Sequence, residues 1–373
     1  MLGPTTRHYN SWVTTRVCYV HVGPHKTGTT SIQWFLRENR AELLSCGYFV
    51  PEAERRSGPH HALVEKLAGL DVGEHRESLT LKFVQALLEI SCEAIVMSSE
   101  ALEGILASRK HANQFFSRIR ELNLEPKLIL FPRNQPQWIN SSYASSVKSF
   151  RRWDPFHSCA LGFAESPGSR FSRWIELGKA YGFELIARPF TKETVTSGVV
   201  PEFLRSIGIN SSQFRDAATR RNEGVGPFTV SVVRDVLRSI DATGKRLTWL
   251  QAMRCHREVA GYLRQNKLAD AGYCGLTTAL ARHIEGELQA DNDAFAQQIW
   301  GRSWAEVFAP DVIAEFEPND FEMRPPDWST RRRLRRVLRD VNRIVYEILL
   351  DSTLAVNAPW NDVRLRSGLV SAE

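Results

Sequence analysis

Five short apolar runs, each followed by a polar turn and a helical stretch, limit this chain to few folds. Val17-Cys-Tyr-Val-His-Val22, Tyr48-Phe-Val50, Ala94-Ile-Val-Met97, Lys127-Leu-Ile-Leu-Phe131 and Phe183 to Ala187 are rich in β-branched and aromatic residues and too short for helices. Their apolar character is continuous rather than alternating, the mark of strands buried on both faces of a parallel sheet. Helical patterns lie between them, over 60–70, 78–91, 138–150 and 170–181. Parallel neighbours need crossover connections, and helices supply them. The alternation therefore predicts an α/β fold, a three-layer domain with a mainly parallel central sheet. From about residue 228 the pattern turns helical, with breaks at Pro310, Pro318 and Pro325-Pro326. The expected division is an N-terminal extension (1–16), an α/β core (17–235), a helical part of the same unit (236–310) and a C-terminal extension (311–373).

With 43% hydrophobic and 24% charged residues, the 373-residue chain can bury a large core, which excludes wholesale disorder. No apolar run approaches the roughly 18–20 residues that span a bilayer. The polar stretch Met1 to Arg16 lacks the apolar centre of a signal peptide. The expectation is a cytoplasmic protein, at most peripheral at the inner membrane surface. A net charge of +6 favours anionic ligands without naming one. Six scattered cysteines (Cys18, Cys46, Cys92, Cys159, Cys255, Cys274) show neither C-x-x-C nor zinc spacing, which predicts reduced, mostly buried thiols and no metal site.

The most informative segment is His21-Val-Gly-Pro-His-Lys-Thr-Gly-Thr-Thr-Ser31, between the first strand and a helix. Backbone N–H groups and the helix dipole at such a junction favour an anion. Gly23 and Gly28 keep the G-x-x-x-x-G spacing of a nucleotide P-loop, but Thr29 stands where the Walker lysine would be. Lys26 lies earlier, within the loop. No strand ends in a clear magnesium-binding aspartate; the run 94–97 leads into Ser98-Ser99-Glu100. A metal-free site for a 5′-phosphate, with lysine beside the bridging oxygen, fits better than a magnesium-dependent kinase.

The form G-P-H-K-T-G-T-T-S-I-Q resembles the 5′-phosphosulfate loop of the sulfotransferases, in the style of their bacterial and carbohydrate branch. The resemblance implies a P-loop α/β fold and transfer of a sulfuryl group from 3′-phosphoadenosine 5′-phosphosulfate (PAPS), as co-substrate, to a hydroxyl. A carbohydrate or glycolipid acceptor is implied by the style of the loop, and no metal or nucleic acid is expected. Lys26, Thr27, Gly28, Thr29, Thr30 and Ser31 would hold the 5′-phosphosulfate. Pro132-Arg133-Asn134 after the fourth run, with Ser141 eight residues past Arg133, matches the family's 3′-phosphate pair. Arginine offers a planar fork of donors to phosphate, and a helix-borne hydroxyl adds a neutral one. Arg220-Arg221-Asn222-Glu-Gly224-Val-Gly226 is a looser match to the basic loop that closes over the adenosine, through Arg220 or Arg221. The resemblance covers roughly residues 17–310.

In such a reaction Lys26 stabilises charge on the leaving oxygen. A general base must take the acceptor proton. His25 is one choice, the pair His60-His61 a better one with His61 slightly favoured, and Glu100 is the rival. Two other readings stay open, a P-loop kinase and a non-catalytic nucleotide-binding protein of the same fold. Beyond the resemblance, Thr330 to Leu350 predicts an amphipathic helix with Leu334, Val337, Leu338, Val341, Ile344, Val345 and Ile348 on one stripe. Arg331, Arg332, Arg333, Arg335, Arg336 and Arg339 crowd its first half, where the helix dipole disfavours cations. That face is either solvated or a contact for an anionic membrane or polymer.

Overall fold

The five apolar runs become five strands of one sheet. A computed structural model describes residues 15–53, 59–166, 168, 170–214, 224–313 and 315–351. The strands are β1 (Arg16–Gly23), β2 (Tyr48–Phe49), β3 (Ala94–Ser98), β4 (Leu124–Leu130) and β5 (Glu184–Ala187). They are all parallel, in the order β2-β3-β1-β4-β5. β1 is central, with Val17–His21 beside Ala94–Ser98 and Arg16–Gly23 beside Leu124–Leu130. The chain builds β2 and β3 on one side of β1, then crosses to build β4 and β5 on the other. Such a reversal opens a crevice at the carboxyl ends of the strands, where ligands bind in open α/β sheets.

Side-chain alternation explains the layers. Cys18, Val20, Ile95, Met97, Leu128 and Leu130 point into one core, shared with Phe115 and Phe116 of the helix Arg109–Glu121. Val96 and Ile129 point the other way, against Ile32, Phe35 and Leu36 of the helix Thr29–Glu38 and Phe203 and Leu204 of the helix Val199–Ser206. Both faces are covered, so every residue of β3 is buried.

A third core is wholly helical. It joins the helices Gln135–Lys148, Phe156–Glu165, Pro227–Asp241, Trp249–Gln265, Thr278–Trp300 and Trp328–Leu350. Among the described residues after 226, every regular element is an α-helix or a 3-10 turn. The expected boundary at 235/236 falls inside the helix Pro227–Asp241, whose face is continuous with that core. Nor does the expected break at 311 separate a free extension. Buried Arg234 pairs with Asp320 at 2.7 Å, and the hydroxyls of Tyr143 and Tyr273 join the same network. This buried, hydrogen-bonded charge pair ties these elements to one another, because losing either partner would strand a charge. Only Cys18, Cys159 and Cys255 of the six cysteines are buried, fewer than expected; Cys46 is exposed. No described helix is long and apolar enough to cross a membrane.

Candidate active site

The loop after β1 turns on three residues with left-handed backbone, Gly23 (φ 98°), Lys26 (φ 69°) and Gly28 (φ 80°). Gly28 precedes the helix Thr29–Glu38, and no side chain caps that helix. The Ser31 N–H donates to the Gly28 carbonyl at 2.9 Å, which leaves the N–H groups of Thr29 and Thr30 at the helix start as candidates for an anion. A Cβ at Gly28 would lie 2.6 Å from Cγ1 of Val199, so this turn admits only glycine. The loop's carbonyls are tied back. Trp138 Nε1 donates to the carbonyl of His25 at 2.6 Å, and Arg133 Nη1 donates to that of Lys26 at 2.9 Å. The Thr27 hydroxyl is buried and donates to the Pro24 carbonyl at 2.7 Å.

These elements border a cavity of about 620 Å³. The loop contributes Lys26, Gly28, Thr29, Thr30 and Ser31, and the segment after β4 contributes Arg133. The helix Gln135–Lys148 adds Ser141, Ser145 and Lys148, one turn apart on one face. His256 and Gly224 line the cavity as well. Burial pushes the Lys26 ammonium below its ordinary pKa, and the positive charges of Lys148 and Arg133 push it further. Burial also lowers Arg133 to about 10, against the opposing pull of Asp311. Repulsion among these three basic groups is relieved by a ligand carrying negative charge.

Glu100, just past the end of β3, also lines the cavity. Its Oε2 accepts a hydrogen bond from Gln33 Nε2 at 2.6 Å, and the Thr29 hydroxyl also bonds the carboxylate. Oε1 faces His25 Nδ1 at 3.8 Å, and His61 Nε2 lies 3.7 Å from Oε2. Burial alone would raise the Glu100 pKa. The two imidazoles and the hydrogen bonds overcome it and hold the carboxyl at about 2. Among the described residues on the cavity wall, Glu100 is the one carboxylate.

The histidine pair divides. His60 is fully buried; its Nδ1 accepts the Ser98 N–H at 3.0 Å and its Nε2 donates to the Pro51 carbonyl at 3.2 Å. Burial lowers its pKa to about 4. Neither nitrogen is left for a substrate, which removes His60 as a proton acceptor. His61 shares Nδ1 with the Ser99 hydroxyl at 2.8 Å and touches Glu100 from outside the cavity wall. Lys26, Gly28, Thr29, Thr30, Ser31, Glu100, Arg133 and Ser141 thus share one cavity, while the Thr27 side chain does not reach it. Arg220 and Arg221 lie outside the described residues. Sequence reasoning missed Ser145, Lys148, His256 and Gln33. The spacing Ser141, Ser145, Lys148 is a one-face helical repeat that signals the first two; Gln33 and His256 carry no local signal. Comparisons with protein-family models, with curated proteins and with solved structures find no match.

Proposed function

We propose that this chain is a PAPS-dependent sulfotransferase with a P-loop-type α/β core, acting on a hydroxyl of a carbohydrate or glycolipid. One observation carries the reading: Lys26, the uncapped helix start at Thr29–Ser31, and the Arg133/Ser141 pair all border a single cavity. PAPS has a 5′-phosphosulfate and a separate 3′-phosphate, and a cavity lined by Lys26, Arg133 and Lys148 suits a ligand with that much negative charge. The loop amides and Lys26 would hold the first, and Arg133 and Ser141 the second.

In-line transfer forms a bond between the acceptor oxygen and sulfur. It breaks the bond from sulfur to the bridging oxygen, which leaves with adenosine 3′,5′-bisphosphate. Lys26 would stabilise the charge that gathers on that leaving oxygen. The acceptor proton passes to Glu100, the carboxylate on the wall, rather than to His61, which stands behind it. A carboxylate near pKa 2 is a weak base for a free alcohol. In a loose transition state the proton leaves as the oxygen–sulfur bond forms, when the oxygen has become a strong acid, so a weak and well-positioned base suffices. Gln33 and His61 engage Oε2, which leaves Oε1 toward the cavity side with His25.

Incubation with PAPS and a panel of glycans and glycolipids, read by mass spectrometry, tests the proposal. It expects a sulfo group on an acceptor, an equal amount of adenosine 3′,5′-bisphosphate, and no effect of EDTA. Magnesium-dependent phosphoryl transfer from ATP would instead make the chain a kinase.

A further inference from the structure

The helix Trp328–Leu350 folds through one face only. Val337, Val341, Val345 and Ile348 are buried against the helices Pro227–Asp241 and Trp249–Gln265. At about 100° per residue, Trp328, Arg331, Arg332, Arg335, Arg336, Arg339 and Arg343 fall on the opposite face, in a strip about 22 Å long. All seven are exposed.

Folding does not account for this strip. Like charges three and four residues apart destabilise a helix, and cations in its first turns oppose the dipole. Arg331 donates to the Pro326 carbonyl and Arg332 lies over the Trp328 ring, but neither contact neutralises charge. Among the described residues, no carboxylate lies within 4 Å of Arg332, Arg335, Arg336 or Arg339. Asp340, at the margin, takes the Tyr262 hydroxyl at 2.7 Å and Arg343 at 3.7 Å. The strip is also not purely ionic. Trp328 is 73% exposed at its start, Leu350 is 69% exposed at its end, and Met323 stands exposed just before it.

We propose that this face docks on an anionic lipid bilayer. The guanidinium groups match a plane of phosphate and carboxylate headgroups, and their long apolar stems lie along it. Trp328, Met323 and Leu350 favour lipid over a soluble polyanion, because an acyl boundary removes apolar groups from water and a hydrated polymer does so poorly. The proposal is independent of the reaction assigned to the cavity.

The test is co-sedimentation of the full chain with vesicles of phosphatidylcholine alone or with about one-third phosphatidylserine. Dextran sulfate serves as a soluble polyanion. Binding is expected to the anionic vesicles only, weakening as salt rises. Each cation near an anionic leaflet contributes about fivefold, so replacing Arg332, Arg335, Arg336 and Arg339 by Gln should lower binding at least about tenfold. Among the described residues those arginines make no ion pair, so that variant should melt no lower than the parent. Trp328→Ala should weaken vesicle binding, because the exposed indole is the apolar group at the start of the strip. Absence of binding to anionic vesicles, equal binding by the fourfold variant, or binding to dextran sulfate without vesicles would each overturn the proposal.

Discussion

Two groups of cations in this chain are held in opposite ways. Lys26 and Arg133 sit half-buried between backbone and cavity, with their pKa values pulled down by burial and, for Lys26, by neighbouring cations. Arg332, Arg335, Arg336 and Arg339 of the helix Trp328–Leu350 stand in water and, among the described residues, pair with no carboxylate. The first arrangement costs desolvation and repulsion within a shaped cavity, so it suits one ligand whose charges fall at fixed places. The second costs little and presents a field rather than a pocket, so it suits an extended surface. Burial separates the two groups; the count of positive charges does not.

The largest effect expected at the cavity that holds the first group is at the proposed chemical step. Glu100→Gln should lower turnover by about 10²–10⁴ with bisphosphate affinity nearly unchanged, because the carboxylate meets the acceptor rather than the donor. His61→Ala should lower it far less, and normal turnover in the Glu100 variant would return the role to a histidine. Lys26→Ala should reduce turnover by about 10²–10³. Next in size, Arg133→Ala should weaken adenosine 3′,5′-bisphosphate by about 10–100-fold in calorimetry, since a charge-assisted contact of about 1.5–3 kcal/mol is lost. Adenosine 5′-phosphate should be nearly indifferent to that change. Equal losses for the two nucleotides would detach Arg133 from the 3′ group.

The smallest expected effect concerns pH and comes from side chains that touch no ligand. His60 and His21 are buried with pKa values lowered to about 4. Unfolded, they bind protons below about pH 6.5, so stability falls as pH drops from 6.5 toward 4. Glu100 is lowered to about 2, so its contribution is complete above pH 4.5 and is lost only below that. Urea unfolding at several pH values should show the upper slope first. His60→Gln should flatten it, and an unchanged slope would contradict the buried neutral imidazole.

The strands were the most legible part of the chain. Runs such as Ala94–Met97 are buried on both faces, so their composition alone marks them. The glycine-containing loop after β1 and the Arg133/Ser141 spacing could be located in the sequence because each is local to one strand–helix junction, and the structure brings them to one cavity. What escaped the sequence was set by distance along the chain. His60 and His61 are adjacent and alike in chemistry, yet one is inserted under Ser98 and the other is turned to Glu100. That choice depends on where the end of β3 lies, 38 residues later. Gln33 meets Glu100 across 67 residues, and no local pattern announces such a pair. The division expected at 235/236 lies within the helix Pro227–Asp241, and the helical core draws on residues from 138 to 348, so no composition shift marks its edge.

The account rests on one cavity reading two separated phosphates, and a thermal shift measures that most directly. Adenosine 3′,5′-bisphosphate at about 100 times its dissociation constant should stabilise the chain by about 2.7 kcal/mol, with or without EDTA. ATP with Mg²⁺ should give a smaller shift, and Arg133→Ala should bring the bisphosphate shift down to that of adenosine 5′-phosphate. A larger shift with ATP, abolished by EDTA and indifferent to Arg133, would contradict the account.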